Sequence, residues 1–312
     1  MRRRFALVHN PNAGASNLRA LERSVGLLRR SGGEVTPLNA SSAADATQRV
    51  AALARQGGTD AVIAAGGDGT IRAVAAGAAG TELSVGIIPL GTGNVMKYEI
   101  GLGRSAREIA ETLLHGPVLN ARTGLANGQL FLLMAGAGFD GGIVANLNER
   151  AKRRLGRLAY AGPLLSALAT PPRMFDVDVD GTAYDVSWAI VSNARHYGGS
   201  FVLTRETELG AEGLVAILVM GASRGDVFKA ALALGLGRMA DPATRPKGIL
   251  VLPAKRVVMG AHCSVPLEID GDEAGMTPVT ITSGGPRVSL IVPSAHVADP
   301  VFRHTNHVSL RE

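Results

Sequence analysis

The chain carries a single cysteine, Cys263, among 312 residues. One thiol excludes an intramolecular disulfide and any zinc or iron–sulfur site built on several cysteines, and it fits a reducing compartment. Aromatic residues are scarce, at 4%. The basic clusters Arg2–Arg4 and Lys152-Arg153-Arg154 with Arg157 have none interleaved, so no stacking platform for nucleic acid is present and nucleic acid is not an expected partner. The uncharged stretch Leu158 to Thr170 contains Gly162-Pro163 and falls short of the ~20 residues a membrane span needs. Met1-Arg2-Arg3-Arg4 is followed by only four apolar residues, Phe5 to Val8, before His9-Asn10-Pro11, too few for an export leader. The expectation is a cytoplasmic chain.

What is present is apolar material, glycine and positive charge. Hydrophobic residues make up 46% and charged ones 19%, enough to build real cores and to exclude disorder. At ~150 residues per domain this length implies about two domains. Thirty-two lysines and arginines against 26 acids give a net charge of +6, which favours anionic partners such as phosphates and lipid headgroups. The 40 glycines show no collagen-like period and take their meaning from position.

The first part of the chain alternates strands and helices. Residues 3 to 9 read as a buried strand, followed by a helical stripe of Leu18, Leu21, Val25 and Leu28 that Gly32-Gly33 stops. A strand near Glu34 to Leu38 leads to a helix opened by Ser42-Ala43-Ala44-Asp45. Asp60 to Ala65 and Ser84 to Pro89 read as two further strands, each running into a glycine loop. This rhythm predicts a parallel sheet whose ligands bind beyond the carboxyl ends of its strands.

After about residue 117 the pattern becomes mostly antiparallel β. Asn127-Gly128 marks a hairpin, Phe175 to Val179 alternates strictly before Asp180-Gly181, and further strands are expected near 188–192, 214–220, 256–260 and 265–269. Helices are expected within Ile143 to Ala169 and near Asp226 to Leu236. The predicted division is an α/β domain over 1–120 and a β-rich, sandwich-like domain over 121–312, with the segment after about 287 packing back on the first and a cleft between the two.

Gly66-Gly67-Asp68-Gly69-Thr70 follows a strand and opens a helix, a geometry in which glycines admit a phosphate while amides and the helix N-terminus supply positive potential. Asp68 would repel phosphate directly and makes sense there with Mg²⁺ or its water shell interposed. Leu90-Gly91-Thr92-Gly93-Asn94 repeats the arrangement one strand over, and Asn10 to Gly14 occupies a like position after the first strand. Gly136 to Gly141 fits GxGxxG, yet no acidic residue occurs between Arg150 and Met174 to hold a ribose, so a Rossmann dinucleotide site is rejected. The absence of any Gly-Lys dipeptide excludes a P-loop, and the absence of HRD and DFG excludes the protein-kinase arrangement. Glu268-Ile269-Asp270-Gly271-Asp272-Glu273 places acids around a tight turn, either a hairpin with solvated charges or a source of one general base. The Phe228, Leu232, Leu234, Leu236 stripe reads as core or as the wall of a lipid entrance, and His304 with His307 lacks a third metal ligand.

With Asn10-Pro11-x-x-Gly14, the GGDGT loop, Pro89 to Asn94, Gly138-Phe139-Asp140 and Asp270-Gly271-Asp272 in that order, nearly the whole chain resembles the diacylglycerol kinase catalytic-domain family, which includes bacterial lipid kinases and sphingosine kinases. The resemblance implies ATP and Mg²⁺, an α/β domain with a β-sandwich partner, and a lipid hydroxyl as acceptor. It places ATP on Asn10, Pro11, Asn12, Ala13, Gly14, Ser41 or Ser42, Gly66, Gly67, Asp68, Gly69, Thr70, Ile71, Arg72, Thr92 and Asn94. It makes Asp272 the base, where many relatives have Glu, assigns Asp68 and Asp140 to the magnesium–water network, and adds Asp270 nearby. Val95 stands where relatives often carry Asp and Arg72 where Asn is common, and Leu209 to Leu214 keeps only Glu212 of an Asp-x-x-Asp-Gly-Leu metal stretch. The implied partners are a lipid acceptor at a membrane surface and peripheral contact with the inner face of that membrane, with self-association left open. Two other readings stand beside this one: a soluble-acceptor kinase of the NAD kinase type, which shares GGDGT, and a non-catalytic nucleotide or lipid sensor.

Overall fold

A computed structural model describes residues 1–9, 18–91, 93–139, 141–142 and 170–298. The helices expected within Ile143 to Ala169, the Lys152 to Arg157 cluster and the His304–His307 pair lie outside the described residues. The chain divides into two compact units, Met1–Arg122 with Pro286–Glu312, and Thr123–Gly285.

In the first unit the elements run β1 (Arg4–His9), α1 (Leu18–Arg30), β2 (Glu34–Pro37), α2 (Ala43–Gln56), β3 (Ala61–Gly66), α3 (Asp68–Ala78), β4 (Ser84–Pro89), α4 (Val95–Glu99) and α5 (Ala106–His115). The strands pair in parallel in the order β2-β1-β3-β4, and Leu290 of the chain's last strand pairs in parallel with Val85. All six residues of β3 are buried, as a central parallel strand covered on both faces requires. Leu21, Val25 and Leu28 of α1 are buried, at the expected helical spacing. Ser42 caps α2 by accepting from the Asp45 amide at 3.1 Å. Helices α2 and α3 approach closely at Gly77, where any Cβ would overlap the Thr47 carbonyl, and Thr47 Oγ1 donates to the Ala73 carbonyl at 2.8 Å. Helix α5, which the sequence reading did not foresee, opens with a complete Ser105–Glu108 capping box.

The chain enters the second unit within β5 (Val118–Ala126) and leaves it within its last strand. The elements between are β6 (Gln129–Phe131), β7 (Met134–Gly138), β8 (Phe175–Val179), β9 (Thr182–Val186), β10 (Trp188–Ser192), β11 (His196–Tyr197), β12 (Phe201–Val202), β13 (Leu214–Val219), α6 (Arg224–Gly235), β14 (Ile249–Ala254), β15 (Arg256–Met259), β16 (Pro266–Ile269), β17 (Asp272–Met276) and β18 (Val279–Ile291). A short helix, α7 (Ser294–Ala298), follows. One antiparallel sheet has the order β14-β13-β10-β7-β16-β17; the other layer carries β18, β15, β8 and β9, with β5 and β6 beside β18. A single buried cluster draws on both layers, with Phe175, Val257 and Ile281 from one and Ala189, Leu218 and Leu267 from the other. This is the mixed α/β plus sandwich-like architecture that the sequence predicts.

Three hairpins share one device. Asn127-Gly128, Asp180-Gly181 and Asp270-Gly271 are two-residue turns with φ positive at both positions, the conformation that matches strand twist. In each, the first side chain reaches a different strand. Asn127 Oδ1 accepts from the Thr280 amide at 2.9 Å, Asp180 accepts from the Lys255 and Arg256 amides, and Asp270 accepts from Leu132, Leu133 and Met134.

Candidate functional site

Parallel register aligns the carboxyl ends of three strands in the first unit. His9 pairs with Ala65, and Gly66 pairs with Pro89, so the turns that follow β3 and β4 leave the sheet side by side. The amides of Leu90 and Gly91 both donate to the Gly66 carbonyl, at 2.8 and 3.2 Å. A Cβ on Gly91 would lie 2.6 Å from Gly67 Cα and 2.9 Å from Asn94 Oδ1, so the turns touch backbone to backbone in a space no side chain fits. At Gly66 a Cβ would overlap the Thr70 hydroxyl.

Helix α3 begins at Asp68 with Gly67 as its N-cap, and no side chain caps it. Its first-turn amides and their positive end therefore lie where a phosphate binds in sites of this geometry. Asp68 itself faces α4: its Oδ2 accepts from the Val95 amide at 3.0 Å and its Oδ1 from Met96 at 3.1 Å. Asn94 sits in the left-handed region at φ 49°, donates through Nδ2 to the Gly91 carbonyl at 2.5 Å, and keeps Oδ1 buried with no hydrogen-bond partner. Of the other residues expected at ATP, Ile71 is buried in the core, which leaves its backbone for any ligand role. Gly69, Thr70 and Arg72 are half-buried in the first turns of α3. Ser41 is exposed, and its amide and hydroxyl both donate to the Asp45 carboxylate. Asn10, Pro11, Asn12, Ala13, Gly14, Thr92 and Asp140 lie outside the described residues.

His9 is a residue the sequence reading treated only as strand. It ends β1 opposite Ala65, its Nε2 is buried without a hydrogen-bond partner, and burial pushes its imidazole below the ordinary histidine value. Only its position at a strand end beside two glycine loops signals it in the sequence.

In the second unit the acids of the 268–273 stretch separate by role. Asp270 is buried, and its carboxylate accepts three backbone amides at 2.8–3.0 Å, which fixes the start of β7. Glu268 is buried and accepts from the Gly271 amide at 2.7 Å. Asp272 opens β17, half-buried, opposite Ile269. Phe139, from the Gly138-Phe139-Asp140 motif, packs against Trp188 with the ring centroids 5.1 Å apart and the planes tilted by 58°. Leu209 is buried and Glu212 exposed, while the neighbouring Glu208 pairs with Arg195 at 2.5 Å. Among the described residues no group of three His, Cys, Asp or Glu is placed to hold a metal ion.

The chain thus joins an α/β unit with two abutting glycine turns to a β-sandwich-like unit with a turn-borne carboxylate, a two-unit architecture whose family comparison with known proteins supplies. Residues 4–126 match the diacylglycerol kinase catalytic domain, and residues 134–298 match the YegS C-terminal NAD kinase beta sandwich-like domain. The chain is 26% identical over 288 residues to the diacylglycerol kinase of Bacillus subtilis, covering 88% of this chain and 92% of that protein. It is 32% identical over 227 residues to a Pseudomonas putida protein named "Probable lipid kinase YegS-like", covering 71% and 75%. A crystal structure of a diacylglycerol kinase from Bacillus anthracis shares the fold with a TM-score of 0.71 at 20% identity, over 95% of this chain and 99% of that one. The chain belongs to the diacylglycerol kinase and YegS-like lipid kinase family. No described helix is long and apolar enough to cross a membrane.

Proposed function

We propose that this kinase transfers the γ-phosphate of ATP to the hydroxyl of a lipid of the diacylglycerol or sphingoid type, in the cytoplasm at the inner membrane surface. The observation that supports it most is the backbone contact of Gly67 with Gly91, a paired turn suited to phosphates beside an uncapped helix N-terminus. The turns at Gly66–Arg72 and Gly91–Asn94, with Asn10 to Gly14, hold the nucleotide; Asn94 Oδ1, buried and unpartnered, offers an acceptor to a donor on it.

Asp272 is the general base. Its carboxylate takes the proton of the acceptor hydroxyl as that oxygen attacks the terminal phosphorus, and the bond from phosphorus to the bridging oxygen breaks to release ADP. A carboxylate suffices because the transition state of phosphoryl transfer is loose and the proton leaves late. Asp270 and Glu268 serve backbone amides that shape the turn and the start of β7, and Asp272 stands half-buried at the first position of β17. Asp68 and Asp140 would serve a magnesium ion on the nucleotide phosphates through its water shell. When bound, it neutralises charge developing on the phosphate oxygens.

The deciding experiment incubates the protein with labelled ATP and a total lipid extract and identifies the labelled product. Asp272→Asn should abolish labelling and leave ATP binding within about two-fold, since general-base catalysis contributes 10²–10⁴-fold. Labelling of NAD with none of lipid, or full turnover by the variant, overturns this reading.

A further inference from the structure

Helix α6 is apolar on two faces. Val227, Ala230, Ala233 and Leu234 are buried, while Phe228, Leu232 and Leu236, spaced four apart on the opposite side, stand 52%, 49% and 58% exposed. Strand β12 packs against this helix and adds Phe201, 46% exposed. Of the stripe that the sequence reads as core or as the wall of a lipid entrance, Leu234 is core, and the other three form with Phe201 the largest group of exposed apolar side chains among the described residues. A helix apolar all round is normally covered all round.

The rim of the stripe indicates the covering. Counting 100° per residue, Arg224 flanks Phe228 on one side and Lys229 flanks Leu236 on the other, and both are exposed. Lys229 lines a small cavity of about 60 Å³ with Lys247 and Asp226, and Arg238 follows the helix end directly. A second copy of this face would set like charges against each other. Apolar residues between cations are instead the pattern of a helix lying in the interface of an anionic bilayer.

We infer that α6, with Phe201, docks this protein on an anionic lipid bilayer by inserting Phe228, Leu232 and Leu236 while Arg224, Lys229 and Lys247 meet the headgroup phosphates. The inference deepens the lipid-kinase reading and rests on it for the choice of a bilayer over other anionic partners.

The test is sedimentation of the full chain with vesicles of phosphatidylcholine, with and without phosphatidylglycerol. Binding should require the anionic lipid and weaken with salt. The double substitution Phe228→Ser with Leu232→Ser should lower partitioning about ten-fold or more, with melting temperature and ATP binding retained. Arg224→Glu and Lys229→Glu should each lower it about five-fold and flatten the salt dependence. Unchanged vesicle binding in the serine variant overturns the docking surface, as does a parent dimer that this variant dissociates. Phosphotransfer by the parent to a detergent-dispersed short-chain diacylglycerol is measured separately. Vesicle binding through these residues without any phosphotransfer would uphold the surface and refute the kinase reading; phosphotransfer with vesicle binding indifferent to them would do the reverse.

Discussion

The Asp68 carboxylate accepts a hydrogen bond from the Val95 amide at 3.0 Å, so the acid of the first glycine turn caps the helix that follows the second. Its other oxygen does the same for Met96. One side chain thereby fixes the spacing of two loops that are adjacent strands apart in the sheet. Asp68→Ala should lower stability by about 1–2 kcal/mol in urea unfolding, and Asp68→Asn, which keeps one acceptor, by less. Equal stability of the alanine variant and the parent would remove the capping role.

Gly91→Ala should be severe, because its new methyl group would lie 2.6 Å from Gly67 Cα and backbone has no rotamer to escape by. We expect a loss of about 1–3 kcal/mol and at least a ten-fold weaker ATP affinity by calorimetric titration. Gly225→Ala is the control. Its nearest neighbour is Ser223 Oγ at 3.5 Å, and inside α6 the change should stabilise by up to about 1 kcal/mol.

Asp270 and Asp272 should separate stability from turnover. Asp270→Ala leaves three buried amides without an acceptor and should lower stability by about 3 kcal/mol or more, read as a depressed melting temperature. Asp272→Asn should melt with the parent and lose phosphotransfer. A melting temperature lowered as far in Asp272→Asn as in Asp270→Ala would contradict this division.

Acidification should destabilise in two stages. Burial pushes His9 below its ordinary value of 6.5, so under that pH the unfolded chain binds a proton that the folded one resists. Stability is therefore fully present above 6.5 and declines as pH falls through the lowered folded value; His9→Gln should flatten this first decline. Burial alone would raise Asp60, but the Arg3 and Arg4 amides and the Arg4 guanidinium outweigh it and hold its carboxyl below 3.8. That contribution should be lost only as pH falls below 3.8 toward the folded value, and Asp60→Asn should remove it. Urea midpoints across this pH range check both stages.

Much of the fold was legible because its signals are local. The buried run of β3, the stripe of α1, the Ser42 cap and the Asn127-Gly128 turn each depend on residues within a few positions of one another. Helix α5 was equally local, since Ser105 and Glu108 spell a capping box, and it was passed over. Strand β18 was hidden for another reason. Thirteen residues long, it pairs with β15 in antiparallel and with β4 in parallel, and neither partner lies nearby in the chain.

The glycine loops lead the sequence to predict a phosphate site, but the roles of the acids around them are not readable from spacing. Asp68 turned out to hold α4, and Asp270 to hold the entry to β7, through amides 27 and 137 positions away. A carboxylate's role depends on which donors converge on it, and those donors come from distant segments. The same holds for Phe228, Leu232 and Leu236: a helical period says that they share a face and is silent on whether another element covers it.

Composition, periodicity and turn chemistry by themselves determined parallel α/β followed by antiparallel β, with glycine turns at strand ends. Tertiary structure alone decided that Gly67 and Gly91 touch, which acids serve backbone amides, that Nε2 of the half-buried His9 is shut away from solvent, and that one face of α6 is left bare. Local patterns fix the conformation of a segment through the sterics and hydrogen bonds of its own residues. Burial, pKa and function depend on neighbours that only the folded chain brings within a few ångströms.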